Sequence, residues 1–216
     1  MGTTEDRIKS IRKAEAASHT EAYTQYELFS TGSWLSKPVK TVLDLFPYFQ
    51  NYQQLHVLDL GSGVGRNAIP IAKHFKDIPC HIDCVDILEL AIDKLKDNAR
   101  AHVVGNSIYG IVQPIDCFSI KEDSYDLILA ISALEHIDSQ NSFVKKLFEI
   151  RNGLHSNGIA CLILNRRECR RSLPGILFQG DQPALRSANM ISSWLSTMSQ
   201  FWHRACQCLT IRWAAG

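Results

Sequence analysis

The segment Val57-Leu-Asp59-Leu-Gly61-Ser62-Gly63-Val-Gly65-Arg66-Asn67 constrains the fold more than any other part of the chain. An apolar run, LHVLDL, ends in three glycines at alternate positions and passes into a helical pattern. Glycine lets the backbone turn sharply and approach a ligand where a Cβ would collide. A turn of this kind at the carboxyl end of a buried strand marks the switch point of a doubly wound sheet, the place where such sheets bind ligands.

The rest of the chain supplies the alternation that such a sheet requires. Strands are expected at Leu55–Leu60, His81–Asp86, Tyr109–Ile115, Tyr125–Ile131 and Ile159–Leu164. Helices are expected between them. Asn67–Phe75 carries Ile71, Ala72 and Phe75 on one face, and Leu88, Ala91, Ile92, Leu95 and Ala99 repeat at helical spacing. Asp138 or Ser139 caps a helix with Phe143, Val144, Leu147, Ile150 and Leu154 on one face, and Asn157-Gly158 reads as a turn. Upstream, Ser36-Lys37-Pro38 reads as a helix start, followed by Val39, Val42, Leu43, Phe46 and Phe49. Strands separated by helices at this spacing imply an α/β fold, a mostly parallel sheet with helices on both faces.

The glycine spacing separates two kinds of ligand. A dinucleotide fingerprint, G-x-G-x-x-G, would require glycine at position 66, where Arg66 stands. The observed pattern is D-x-G-x-G-x-G. A carboxylate two residues before the first glycine would repel a pyrophosphate and attract a cationic amino-acid end. Asp86, 21 residues after Gly65, ends the next strand, where it can accept hydrogen bonds from a ribose.

With these motifs the sequence resembles the class I S-adenosylmethionine-dependent methyltransferases over about residues 34–164. VLDLGSGVGRN is similar to the family's first motif and HIDCVDI to its second strand. Pro114-Ile-Asp116-Cys117 is similar to the end of strand 3, and Ser124 to His136 to the strand-4 segment. Arg151 to Gly158 is similar to the turn into strand 5. The ending Gly65-Arg66-Asn67 is also similar to the tellurite- and thiopurine-type small-molecule methyltransferases.

The resemblance implies a Rossmann-like methyltransferase sheet, S-adenosylmethionine as cofactor and a small-molecule methyl acceptor at O, N or S. It implies that Gly61 and Gly63 pass the cofactor's amino-acid portion, with Asp59 near its ammonium and Ser62, Gly65, Arg66 and Asn67 completing the turn. Asp86 and Ile87 then take the ribose side, Asp116 and Cys117 reach the adenine edge, and Ile131 and Ser132 face the reacting end. His136, beside Glu135, is the candidate base, since an imidazole titrates near neutrality; shaping the pocket is its other reading. Trp34, Tyr23 and Tyr26 fall in a helical lid segment, residues 1–35, or pack there as ordinary core. A cofactor-binding relative without catalysis is the alternative function.

Composition restricts the partners. The 216 residues carry 23 basic and 22 acidic side chains, a net +1, so no global field favours nucleic acid. No apolar stretch is long enough for a membrane span, and the polar N-terminus lacks a signal-peptide core. The seven cysteines, an odd number without paired C-x-x-C spacing, read as reduced thiols of a cytoplasmic protein with no metal site. Residues 1–164 have a net charge of −4, whereas residues 165–216 carry seven Arg, no Lys and two acidic residues, a net +5. This atypical basic tail shows no hairpin: Leu209–Trp213 alternates without a visible partner strand, so the final strands of the fold are expected to be missing or atypical. A nucleic-acid-binding appendage and a shifted reading frame both account for the composition, and the loss of Lys with gain of Arg, Trp and Cys favours the second.

Overall fold

The computed structural model describes residues 4–137, 139–164 and 207–212. The chain divides into two compact units, residues 1–117 and 118–216.

The first unit opens with helix α1 (Thr4–Gln25), followed by a short helix α2 (Lys40–Leu43), and then alternates strand and helix. Its elements are β1 (Leu55–Leu60), α3 (Ala68–His74), β2 (Cys80–Asp86), α4 (Glu89–Ala101) and β3 (Ile108–Val112). The three strands run parallel in the order β3-β2-β1, with Asp59 opposite Cys84 and Asp86 opposite Val112. Leu55, Val57, Leu58 and Leu60 are all buried, which is why β1 reads as a continuous apolar run rather than an alternating one. Helix α4 lays Ala91, Ile92, Leu95 and Ala99, the positions its periodicity marks, into the core. Gly65, at φ +93°, has no room for a side chain: a Cβ there would lie 2.6 Å from Leu95 Cδ1 and 2.9 Å from Ile69 Cδ1. The third glycine of the motif thus seats α3 and α4 against the loop.

Two expectations for this unit need correction. No helix starts at Ser36. Ser33 caps a 3-10 turn at Trp34–Ser36, accepting from the Leu35 N–H, and Lys37 is extended. Pro38 disfavours helical backbone at the residue before it, so the helix begins only at Lys40. It ends at Leu43 and gives way to a second 3-10 turn, Phe46–Phe49, with Pro47 in its first positions. Proline offers no N–H to continue an α-helix. The third strand covers Ile108–Val112, not Tyr109–Ile115, and its pairing ends where Gln113 N–H donates to Asp86 O at 2.9 Å.

The second unit contains β4 (Tyr125–Ile131), α5 (Gln140–Gly153), β5 (Leu154–Leu164) and β6 (Gln207–Arg212). Ser139 caps α5, its hydroxyl accepting from Ser142 N–H at 3.1 Å. β4 pairs parallel with β5, but the register jumps from Tyr125↔Leu154 to Leu127↔Ile159. The expected turn at Asn157-Gly158 is therefore a bulge within a longer strand, with Asn157 left-handed at φ +67°. β6 pairs antiparallel with β5, Leu209 opposite Leu162. The partner that Leu209–Trp213 lacked in the sequence is β5 itself, over Gln207–Arg212. The remainder of the basic tail lies outside the described residues. Among the described residues no helix is long and apolar enough to cross a membrane.

Candidate cofactor site

The first unit gathers Asp59, Gly61, Ser62, Gly63 and Asp86 at the carboxyl ends of β1 and β2. The loop is tied to β2 by its backbone: Gly61 N–H and Ser62 N–H both donate to Val85 O, at 2.8 and 3.1 Å. Gly61, Gly63 and Gly65 have φ of +74°, +53° and +93°, so all three occupy conformations that L side chains rarely adopt. Asp86 accepts from Gly63 N–H through Oδ2 and from Leu88 N–H through Oδ1, both at 2.9 Å. The acid that ends β2 thereby also fixes the glycine loop. Burial pushes its carboxyl up, and these backbone donors and the His19 charge pull against that rise.

Asp59 sits deeper, 1% exposed, and its Oδ2 has no hydrogen-bond partner. Burial first, and the Asp86 charge second, raise its pKa to about 7. Ser62 Oγ is buried beside the Cys84 thiol. An orphaned carboxylate oxygen inside a left-handed glycine loop is costly unless something cationic or donating meets it.

The other expected residues divide in their local roles. Asn67 spends its side-chain oxygen on Val39 N–H at 3.0 Å, linking the loop to the start of α2. Arg66 Nε donates to Lys37 O at 2.6 Å, and the guanidinium lies 5.5 Å from the centre of the Trp34 ring. Both residues thus hold the segment before α2 against the glycine loop. Ile87 leaves an apolar side chain 60% exposed directly after Asp86. Asp116 and Cys117 lie in a turn beyond β3, where Cys117 N–H donates to Pro114 O and Gln113 Nε2 donates to Cys117 O.

In the second unit, Ile131 ends β4 and Ser132 follows at φ +52°, exposed, its N–H donating to Ile163 O at 2.7 Å. A left-handed serine at a strand end is a strained position of the kind found at functional sites. His136 closes a 3-10 turn, Leu134–His136, in which Glu135 is buried. Among the described residues no group of three His, Cys, Asp or Glu gathers to hold a metal ion.

Tyr23 is one of the aromatics expected in the lid segment, whereas His19 was not singled out from the sequence. Tyr23 of α1 is buried, and its hydroxyl lies 2.6 Å from where a Cβ on Gly63 would stand. Burial and the charges of Asp86 and Asp59 push its phenol well above the ordinary tyrosine range, so it stays protonated. His19, one helical turn earlier, stands 5.7 Å from the Tyr23 ring and 5.7 Å from that of Trp34. The i, i+4 spacing of His19 and Tyr23 was visible, but nothing local says which loop that face covers.

A family model described as a methyltransferase domain matches residues 57–158. Solved structures share the fold. The phosphoethanolamine N-methyltransferase 1 of Haemonchus contortus, determined with phosphoethanolamine and S-adenosylhomocysteine, superimposes with a TM-score of 0.55 at 15% identity, over 75% of this chain and 32% of that one. The [4+2]-cyclase SpnF gives a TM-score of 0.51 at 16% identity, over 65% and 48% of the two chains. YjhP of E. coli gives 0.50 at 14%, over 68% and 55%. The chain thus spans about a third to a half of the length of these structures. No curated protein matches the chain. The family model and the fold coincide: residues 57–158 match a methyltransferase domain, on a Rossmann-like α/β fold that these structures share.

Proposed function

We propose that the protein transfers a methyl group from S-adenosylmethionine to a small-molecule O, N or S acceptor by direct in-line displacement. The observation that carries this reading is Asp59: a buried carboxylate with an orphaned oxygen, set in a loop of three left-handed glycines. The residues present fit the cofactor. Asp59 would meet its ammonium, Asp86 its ribose hydroxyls with Ile87 beside it, and Asp116 and Cys117 its adenine edge. When bound, S-adenosylmethionine supplies a methyl group already activated by the sulfonium.

Little covalent chemistry is then left to the protein. Its residues must orient the acceptor and exclude water, which is worth about 7–11 kcal/mol in favourable cases. Residues 1–35 are assigned to a lid, since Tyr23 already covers Gly63 from α1. His136 is assigned as the base that takes the acceptor's proton, with Ile131 and Ser132 at the reacting end.

The test is cofactor-dependent methylation of a panel of small phenols, thiols, amines and carboxylic acids. Turnover of a panel member supports the reading; no turnover by a chain that binds S-adenosylhomocysteine leaves a binding protein. The likeness to a [4+2]-cyclase favours keeping that second reading, because one fold hosts several chemistries. If His136 is the base, His136→Ala slows turnover by about 10²–10⁴-fold with cofactor affinity kept. Equal losses of affinity and rate make it a pocket residue.

A further inference from the structure

The glycine loop encloses two carboxylates that differ in their company. Asp86 has a backbone N–H on each oxygen. Asp59 is more deeply buried and has an oxygen with none. Where two acids share one buried site, the proton settles on the one whose charge is less well solvated. That acid is Asp59.

We propose that the site is a cation-for-proton exchanger: Asp59 is a neutral acid until a ligand's ammonium reaches the loop, and then ionises, releasing its proton to solvent. This rests on the cofactor reading above and extends it to how binding depends on pH. The balance is simple. The neutral Asp59 carboxylic acid and the incoming R–NH₃⁺ give an ammonium–carboxylate pair and one H⁺ in solution. No net charge is left buried in either state beyond that of Asp86.

The groups facing Asp59 support the assignment. From β2 come Asp86, which discourages a second negative charge, and Cys84, a buried thiol pushed well above its ordinary range and therefore neutral. From α1 comes Tyr23, held protonated by burial, while His19 acts on Asp86 by its charge. Ser62 of the loop has a hydroxyl that can turn either way. Asp59 itself is pushed up to about 7, so the exchange falls in the physiological range. A ligand α-amino group titrates above neutrality, so near pH 6 it arrives already charged and contributes no proton of its own.

The experiment is calorimetry of the full chain with S-adenosylhomocysteine at pH 6 and pH 8, in buffers of differing ionisation enthalpy. Release of about 0.9 proton per ligand at pH 6, falling as pH rises through 7, is expected for a group titrating near 7. Affinity should rise about tenfold from pH 5 to pH 6 and level off above pH 7. The comparison ligand is 5′-methylthioadenosine, which has the nucleoside and thioether but no amino-acid portion; it should bind without proton release. Asp59→Asn should abolish the release. His19→Gln should keep it, which separates Asp59 from the His19 imidazole, whose charge acts on Asp86. Binding of S-adenosylhomocysteine with no proton released at pH 6, or equal release with 5′-methylthioadenosine, overturns the exchange and leaves the cofactor reading intact. No binding of S-adenosylhomocysteine at any pH overturns the cofactor reading.

Discussion

At the scale of the residue, Asp86 ties down the glycine loop, a duty that the sequence does not show. Its place at the end of β2 marks it for a ribose, but its hydrogen bonds to Gly63 and Leu88 N–H are invisible without the fold. Asp86→Ala should therefore weaken S-adenosylhomocysteine binding roughly 10- to 150-fold, as hydrogen bonds to a charged group are worth about 1.5–3 kcal/mol, and also lower the melting temperature. Titration calorimetry beside a thermal melt reads both; affinity within a factor of two of wild type would remove Asp86 from the site. Gly63 is similar. Its motif position predicts space for a ligand, and that space is bounded by Tyr23, contributed by a helix 40 residues upstream. The sequence places Tyr23 in a lid segment or in ordinary core, and local spacing does not say which loop it meets. Asp59 predicts a pH effect on the ligand-free protein. Its pKa is raised in the folded state, so that state binds more protons than the unfolded chain between about pH 4 and 7, and stability should fall as pH rises through that window. Thermal melts at pH 5 and pH 8 check this, with Asp59→Asn flattening the difference; a wild type more stable at pH 8 than at pH 5 by the same amount as the variant would contradict it.

At the scale of the element, periodicity located what packing alone decides. β1, β4 and α4 follow their apolar patterns closely, because each buries the face or faces that its pattern marks. Prediction failed where backbone chemistry intervened. Pro38 and Pro47 cut the expected helix after Ser36 into short turns, and an apolar repeat cannot show that. The bulge in β5 adds residues to one strand only, which alternation reads as a turn. Val103, just past the end of α4, is a further departure: a β-branched residue at φ +59°, 90% exposed, where helices favour glycine. Its left-handed backbone costs roughly 1–2 kcal/mol relative to an unstrained one. Val103→Gly should accordingly stabilise the protein by about 1 kcal/mol, seen as a higher denaturant midpoint with unchanged slope. A lower midpoint would mean that the valine contributes contacts its exposure does not suggest.

At the scale of the whole molecule, the order of the motifs carried most of the information. The glycine turn and the first acid follow one another in sequence as the fold needs them, at the carboxyl ends of β1 and β2, whereas Asp116 lies in a turn beyond β3. What sequence left open was the acceptor, since no motif after β4 or β5 names one. The central claim is that this assembly of strand ends selects a cation-bearing nucleoside over a dinucleotide, through Asp59 in place of a pyrophosphate-binding turn and Arg66 in place of the third fingerprint glycine. Titration calorimetry of the full chain at pH 7.5 with S-adenosylmethionine, S-adenosylhomocysteine and NAD puts that to the test in one series. Saturable binding of the first two at one site per chain, with no heat from NAD, is the predicted result; binding of NAD with neither sulfur compound bound would contradict it.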